Sequence, residues 1–459
     1  MKAKLYTFLI LTFFSMAGYS QFTPMPLNYQ NPDNYYWPDW ISIVDESNVW
    51  IGTISYGSGV QIPYSIAVRT TDGGNTWQFD SIPVPGQPMM SSVFATDANT
   101  CYYVFTDNGS GGSIWKTTDA GTSWSKKTTT QFSDPGAYAD FYCGFDASEG
   151  VAVGDPTLGY FEIQKTTNGG DTWSRVESSL IPPIFPSEMG GTNAYRAIGD
   201  QIWFPTMISD GAGTFSCRCF KSADRGAHWT ASPIFADSIG WANMDFSSLQ
   251  KGVLWDASIP TYKKYFYVTS DGGNTWSQDW IAINNEFIAG MSSVDGMDGG
   301  FVFLTTDTTD YLITARFTPD FFSTSVVIDS NLSADAWGLR FKDSETGWLS
   351  GNGLDTNGIM KFTGLLTAVS EAAKSPEKLA IMPNPTSTEA LVKLPAMNVQ
   401  GDFTLMIYDV TGKLRENRKI QTRTGWAKLS ASAYDNGLYT IQVVSGDHII
   451  ADTKWMVKH

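Results

Sequence analysis

Thr70-Thr71-Asp72-Gly73-Gly74-Asn75-Thr76-Trp77 is the stretch on which the reading of this sequence turns. It returns almost unchanged as Thr269-Ser270-Asp271-Gly272-Gly273-Asn274-Thr275-Trp276. Between these lie Thr117 to Trp124, Thr166 to Trp173 and Ser222 to Trp229, with Asn168 and His228 as the conspicuous replacements. A sixth, eroded copy runs from Thr318 through Asp320 to Ser325 without its Trp. The chemistry of the octet is that of a tight turn. Gly supplies positive φ, the Asp and hydroxyl side chains can cap backbone N–H groups, and the Trp buries a large apolar face beside the turn.

The third positions, Asp72, Asp119, Asn168, Asp224, Asp271 and Asp320, are 47, 49, 56, 47 and 49 residues apart. Strand-like runs recur in the same order around each copy. Phe141 to Phe145, Gly150 to Gly154 and Phe161 to Lys165 precede the third one, and an outer strand follows its Trp. Four strands per unit at a period near 50 predict an all-β fold, a seven-bladed β-propeller, with the octet on the hairpin between the third and fourth strands. A seventh unit has three strands, near Leu339, Gly347 and Gly358, and no octet. The segment near Phe22 to Leu27 could supply the fourth and close the ring, leaving no exposed edge.

Composition agrees with β structure: charged residues are 17% and aromatics 14%, with 43 Gly among 459 residues. Residues 1–20 read as a signal peptide, with Lys2 and Lys4 before the apolar run Leu5 to Met16 and small residues at Gly18 and Ser20. The formal charge is −16. Residues 376–459 hold 10 basic and 8 acidic residues, so the part between carries about −20. Such a surface repels phosphate backbones and argues against a nucleic-acid partner. No further apolar run reaches membrane length. Export permits disulfides among Cys101, Cys143, Cys217 and Cys219, but Cys217 and Cys219 share one strand face, and buried free thiols are the simpler expectation. Three His without ligand spacing to the Cys argue against a metal site of that kind.

Residues 365–377 lack a strand pattern and read as a linker. Residues 378–459 begin a new pattern. Runs at Ala390–Leu394, Phe403–Tyr408, Trp426–Leu429, Leu438–Val444 and Ile449–Val457 are separated by turn signals, suggesting a small Ig-like β-sandwich.

The octets resemble the Asp-box (BNR) repeat of sialidases, sortilin-type receptors, two-propeller xyloglucanases and photosystem-assembly-type propellers. That resemblance implies a propeller with Asp72, Trp77, Asp119, Trp124, Asn168, Trp173, Asp224, Trp229, Asp271, Trp276 and Asp320 as structural residues on the outer rim. The tail resembles the type A C-terminal sorting domain of the type IX secretion system of Bacteroidetes. The matching elements are Met382-Pro383-Asn384-Pro385, Ile407 to Lys413, Gly437-Leu438-Tyr439, and the basic end at Lys454 and Lys458. Met382 stands where Tyr is usual. This second resemblance implies the secretion machinery as a partner, passage across the outer membrane, and a secreted or cell-surface protein.

Function is expected in loops, because Asn168 shows that the octet tolerates loss of its carboxylate. Asp107, Asp155, Asp256 and Asp307 follow the second strand of four units, with Asn352 in a fifth, and equivalent propeller loops open on one face. They could ring one mouth of the channel, hold a cation such as calcium, or act as acid and base on a glycoside; Asp is also a common loop residue. Tyr56, Tyr64, Tyr160 and Tyr262 on the same loops suit glycan or peptide docking. Arg69, Arg218 and Arg316 share the strand before the octet, but the F/Y-R-I-P element of sialidases is absent. No resident cofactor is expected. The chain reads as a propeller binding a protein or glycan, with a glycan hydrolase as the alternative.

Overall fold

The structure is a computed structural model. It describes residues 21–25, 27, 35–56, 65–86, 88–107, 111–134, 136–257, 265–280, 286–306, 312–332, 335–352, 358–366, 377–378, 380–393, 403–410, 413–420, 426–445 and 448–459. The side chains of 35–39, 54–56, 107, 280, 331, 335–337, 352, 377–378, 380, 403, 444–445 and 448–452 are also outside the description. Residues 1–20 and most of 365–377 lie outside it, as do Tyr64, Tyr262 and Asp307. Among the described residues, no helix is long and apolar enough to cross a membrane. The chain splits into two compact units at residues 367/368.

Among the described residues, the first unit contains seven antiparallel sheets. The first sheet takes its strands in chain order, Tyr35–Ile43, Val49–Tyr56, Ile66–Thr70 and Gln78–Ser81. The second (Met89–Ala95 to Ser125–Lys126), third (Ala139–Gly144 to Ser174–Arg175), fifth (Ala242–Phe246 to Ser277–Trp280) and sixth (Phe287–Ser293 to Val326–Leu332) repeat that order. The fourth explains the interval of 56. Its first strand is divided into Glu188–Met189 and Arg196–Ile198, which lengthens the stretch between Asn168 and Asp224. After the octet, within the ordinary interval of 47, an additional strand, Ala236–Ile239, pairs with Phe215–Ser222. In the seventh, Asp335–Phe341, Gly347–Asn352 and Ile359–Phe362 are joined by the N-terminal strand Phe22–Pro24, which pairs antiparallel with Met360 to Phe362.

Neighbouring sheets share cores in cyclic order. Trp50 and Ala67 pack with Val93 and Tyr103; Val104 and Ile114 with Tyr142 and Ala152; Val153 and Ile163 with Phe204 and Phe220. Met207 and Cys217 pack with Met244 and Leu254; Val253 and Phe266 with Met291 and Phe303; Val302 and Leu304 with Phe341 and Leu349. Trp348 and Ile359 return to Val49 and Val68 of the first sheet. Because both faces of each sheet are covered, the second strands are apolar almost throughout, as in Cys101–Asp107, Gly252–Asp256 and Phe301–Thr306, whereas the third strands interleave polar residues, several of them buried, such as Glu162, Gln164 and Arg218. Cys101, Cys143, Cys217 and Cys219 are free and buried in these cores, and burial pushes the Cys143 and Cys217 thiols up to about 12.

The six octets form one repeated turn. In the first, the Thr70 hydroxyl donates to Asp72 Oδ1 at 2.8 Å and accepts from the Gly74 N–H at 2.9 Å. Asp72 also accepts from the Thr76 N–H (2.9 Å) and hydroxyl (2.6 Å), which hold its carboxyl at about 2. Asp119, Asp224, Asp271 and Asp320 repeat the pattern. Asn168 keeps it by accepting from the Thr172 N–H and donating Nδ2 to the Thr172 hydroxyl. The turn needs two left-handed residues; the eroded copy places Phe321 and Phe322 there, at φ 56 and 67, a conformation costly for bulky side chains. Each turn also docks on neighbours. The Gly73 and Gly272 N–H groups donate to Ser47 and Gln250 in the turn between the first two strands of their own sheets. From the preceding sheet, Lys361 reaches the Gly73 carbonyl and Trp203 Nε1 the Gly272 carbonyl. Asp271→Ala is expected to lower stability by about 1–2 kcal/mol, and Asp271→Asn by clearly less. Equal losses in thermal melts would contradict this account of Asn168.

In the second unit, a five-stranded sheet (Glu377–Lys378, His448–Val457, Gly437–Ser445, Phe403–Tyr408, Leu414–Ile420) and a three-stranded one (Ala380–Met382, Glu389–Lys393, Trp426–Ser430) share one core. Ala390, Val392, Leu405, Ile407, Leu429, Ile441, Val443 and Trp455 fill it. The edge strand Leu414–Ile420 has no counterpart in the sequence reading: five of its seven residues are exposed and most are charged, so it carries no apolar alternation. Leu366, inside the stretch read as linker, is buried in the core of the first unit's last sheets.

Candidate functional site

Three of the residues expected in loops have described side chains, and all three lie in strands instead, because pairing runs further than the apolar pattern: Asp155 within Gly150–Thr157, Asp256 at the end of Gly252–Asp256 and Tyr160 at the start of Tyr160–Thr166. The side chains of Asp107, Asp307, Asn352, Tyr56, Tyr64 and Tyr262 lie outside the description. Asp256 is buried and accepts from the Gly240 (3.0 Å) and Trp241 (3.1 Å) N–H groups, fastening the entry to its own sheet. Tyr160 lies under the Arg175 guanidinium at 4.2 Å. Asp155 accepts the Gly190 N–H at 2.8 Å and stands beside Asp140, a residue the sequence reading passed over. Asp140 sits at a register shift in its strand, is buried, and has one carboxyl oxygen without a hydrogen-bond partner. A Cβ at Gly190 would collide with that carboxyl, so the glycine leaves it room.

Burial, with the Asp155 charge adding to it, pushes the Asp140 carboxyl well up; burial pushes Asp155 up to about 6. The folded pair therefore holds a proton that free carboxyls release near 3.8. Between that value and about 6 the folded chain binds more protons than the unfolded one, so this contribution to stability is full at low pH and falls as pH rises through the window. Asp155→Asn, which keeps an acceptor for Gly190, is expected to raise the melting temperature at pH 7.5 by the equivalent of about 1–3 kcal/mol and to change it little at pH 4. A pH-independent effect in paired melts would refute this.

A cavity of about 360 Å³ opens at the other end of the first strands, next to the turns leading into the second strands. A smaller one of about 100 Å³ shares Ile41, Asn193, Tyr195 and Arg340 with it. One layer of equivalent residues builds this region. Ser42, Phe94, Cys143, Arg196, Asp245, Ser292 and Arg340 pair with Trp50, Tyr102, Val151, Trp203, Val253, Val302 and Trp348, position for position. Three of the seven are charged. Asp245, 2% exposed, accepts from the Phe246 and Ser293 N–H groups at 2.8 Å. Arg196 Nε lies 3.3 Å from Asp245 Oδ1 without hydrogen-bond alignment, and Arg196 Nη2 donates to Asp295. Burial opposes the Arg196 charge, but the two carboxylates outweigh it and raise its affinity for the proton. Arg340 Nη1 reaches Asp245 Oδ2 at 3.4 Å, and Lys342 completes the cationic side of the lining, with Phe94, Phe145 and Tyr195 half-buried around it.

Sequence reasoning gave no site role to Arg196 or Arg340, which it counted only among the arginines, and passed over Asp245, Asp295 and Lys342. A signal existed: at one repeat position where other units carry Ser, Phe or Cys, three units carry charges. The arginines it did compare are used locally. Arg218 forms a buried pair with Glu188 (2.7 Å), Arg316 pairs with Glu286 (2.9 Å), and Arg69 lies over Trp50. Among the described residues no group of three or more His, Cys, Asp or Glu is placed to hold a metal ion.

Comparison with known proteins bears on both units. The first resembles a xyloglucanase of a Paenibacillus species, 24% identical over 286 residues, 53% of this chain and 27% of that protein; the chain spans about a quarter of that relative's length. Its fold is similar to that of YCF48 from Cyanidioschyzon merolae, with a TM-score of 0.51 at 14% identity over 74% of this chain and 98% of the other. It is equally similar to the structure described as YCF48 bound to D1 peptide, at a TM-score of 0.50 and 14% identity over 76% and 97%. At such identities the likeness shows the fold, a β-propeller. Residues 380–458 match the family described as "Secretion system C-terminal sorting domain". The tail is therefore a sorting domain of the type IX secretion system, and the protein it carries is an all-β, propeller-type protein that is secreted or displayed at the cell surface.

Proposed function

We propose that the chain is an exported seven-bladed β-propeller that binds a protein or glycan at the axial mouth lined by Arg196, Arg340 and Lys342. In this reading residues 1–20 are the signal peptide, 21–364 the ring, 365–377 the link, and 378–459 an Ig-like sandwich handed to the secretion machinery. Seven sheets with seven shared cores support the blade number, and two sheets around one core support the sandwich. The cavity carries the functional reading. Its volume falls at the lower end of the range for ligand sites, and it combines aromatic edges with convergent polar groups. The relatives' names, one a glycan-degrading enzyme and one a peptide-bound protein, give the two ligand classes to screen.

The test is to present the full chain to surface-protein fractions and a glycan panel. A ligand should be retained whose binding is lost on Ala197→Trp, which fills the cavity, and kept on Asp155→Asn. Retention of nothing, or of a ligand indifferent to Ala197→Trp, would overturn the proposal. A second reading, glycan hydrolysis, is favoured by the Asp140–Asp155 pair, since an elevated carboxyl can serve as a general acid. It requires release of reducing ends from xyloglucan or another polysaccharide, abolished by Asp155→Asn.

A further inference from the structure

The three cations of the axial mouth are not equivalent. Arg196 is engaged by Asp245 and Asp295 and is almost fully buried. Arg340 is about one-third exposed and spends a single amino group on Asp245 at 3.4 Å, leaving most of its donor fork open. Lys342, two residues further along the extended chain, lines the same cavity without an ion-pair partner among the described residues. Burial opposes the charge of nearby Asp45, but the Asn48 side chain and the Ser47 and Asn48 N–H groups hold its carboxyl down, with the Lys342 charge adding to them. Among the residues lining the two cavities, Arg196, Arg340 and Lys342 stand against Asp295 and Asp245, an excess of one positive charge inside a unit of about −20; Asp45, within reach of the Lys342 charge, lies outside both linings.

We infer that this mouth anchors its ligand by a carboxylate at a chain end, the free C-terminus of a peptide, held by the Arg340 guanidinium and the Lys342 ammonium. The inference rests on the binding reading above and names the anchor. A guanidinium with open donors matches the planar two-oxygen geometry of a carboxylate, and the ammonium adds a point charge. The surrounding acidic field selects among anions. It repels a polyanion such as a polyuronate along its whole length, whereas one carboxylate ending a neutral or basic chain meets only the local cations. The space suits an end rather than a strand laid across it, being about 360 Å³ with a narrower extension of about 100 Å³ past Arg340. Phe94 and Phe145 offer apolar edges to a terminal side chain. Asn193, whose Oδ1 already accepts the Ser92 hydroxyl at 2.8 Å, keeps its amide donors for the last peptide carbonyl.

The experiment uses the full chain and two fluorescent pools of short, randomised, net-basic peptides, identical except that one ends in the free acid and the other in the amide. Fluorescence anisotropy should show the acid pool binding at least about tenfold more tightly. Arg340→Ala and Lys342→Ala should each remove that preference, and Arg340→Lys should restore part of it. Thermal melts of each variant separate loss of the anchor from loss of the fold, and Lys342→Ala does so independently because it strands no buried charge: Asp45, which feels the Lys342 charge, keeps its hydrogen bonds to Ser47 and Asn48. Equal binding of the two pools, absence of binding to both, or tighter binding of oligogalacturonate than of the acid pool overturns the inference. If that happens while the protein and glycan screen still retains an Ala197→Trp-sensitive ligand, the anchor is wrong and the binding reading stands. If neither retains anything, both fall.

Discussion

Asp245→Ala should cost the first unit about 3–5 kcal/mol and lower its melting temperature by roughly 5–15 °C. Asp245 is buried and serves four groups at once: the Phe246 and Ser293 N–H groups, Arg196 and Arg340. Its removal leaves a buried guanidinium with Asp295, itself about half exposed, as its remaining carboxylate. The uncompensated charge, more than the lost contacts, supplies the expected effect. Arg196→Met in the Asp245→Ala background removes the stranded charge and should recover part of the loss, giving a coupling energy well above zero in a double-mutant cycle. If Asp245→Ala melts within a degree or two of the parent, the axial network contributes nothing and this assignment fails.

The N-terminal strand should be almost as costly to lose. Phe22 is 1% exposed and packs edge-on against Phe341 (ring centroids 6.3 Å apart) and at a tilt against Phe362 (5.5 Å). Its N–H donates to Asp329 at 2.9 Å, tying it to the sixth sheet as well as the seventh. Phe22→Ala is expected to lose about 3–5 kcal/mol through the cavity it leaves. Deletion of residues 21–27 goes further. It bares the Ile359–Phe362 edge and the apolar side chains beneath it, and an open edge invites pairing with other chains. Light scattering after size exclusion should then show oligomers or aggregate where the parent elutes as a defined species. A deletion variant that elutes and melts like the parent would show that the ends need not be joined.

These two sites lie where the repeat departs from itself. Six units carry the octet turn, which stabilises each hairpin from within and docks it on the preceding sheet. The seventh sheet has no octet and takes its outer strand from the other end of the chain. The axial layer likewise departs from repetition, with Arg196, Asp245 and Arg340 replacing neutral residues in three of seven equivalent positions.

The sequence by itself determined what is built from short-range chemistry. The octet turns were legible because Thr70, Asp72, Gly74 and Thr76 satisfy one another within seven residues, so their pattern survives wherever it is copied, even with Asn168. The all-β character follows from apolar runs between them, and the sorting tail from motifs contiguous in the chain. Only the tertiary structure decided where charges meet. Arg196, Asp245, Asp295 and Arg340 come from four sheets, and nothing local to any of them announces the others. The sequence reading looked to the loops after the second strands because Asp recurs there, at Asp155 and Asp256 among others. The described cavity lies at the opposite end of the first strands, because a ring of sheets brings equivalent positions of distant units onto one axis. Asp140 shows the same limit at a single residue. Its elevated carboxyl depends on burial beside Asp155 and on the space left by Gly190, 50 residues along the chain, and burial is a property of the folded ring rather than of the strand that carries the residue.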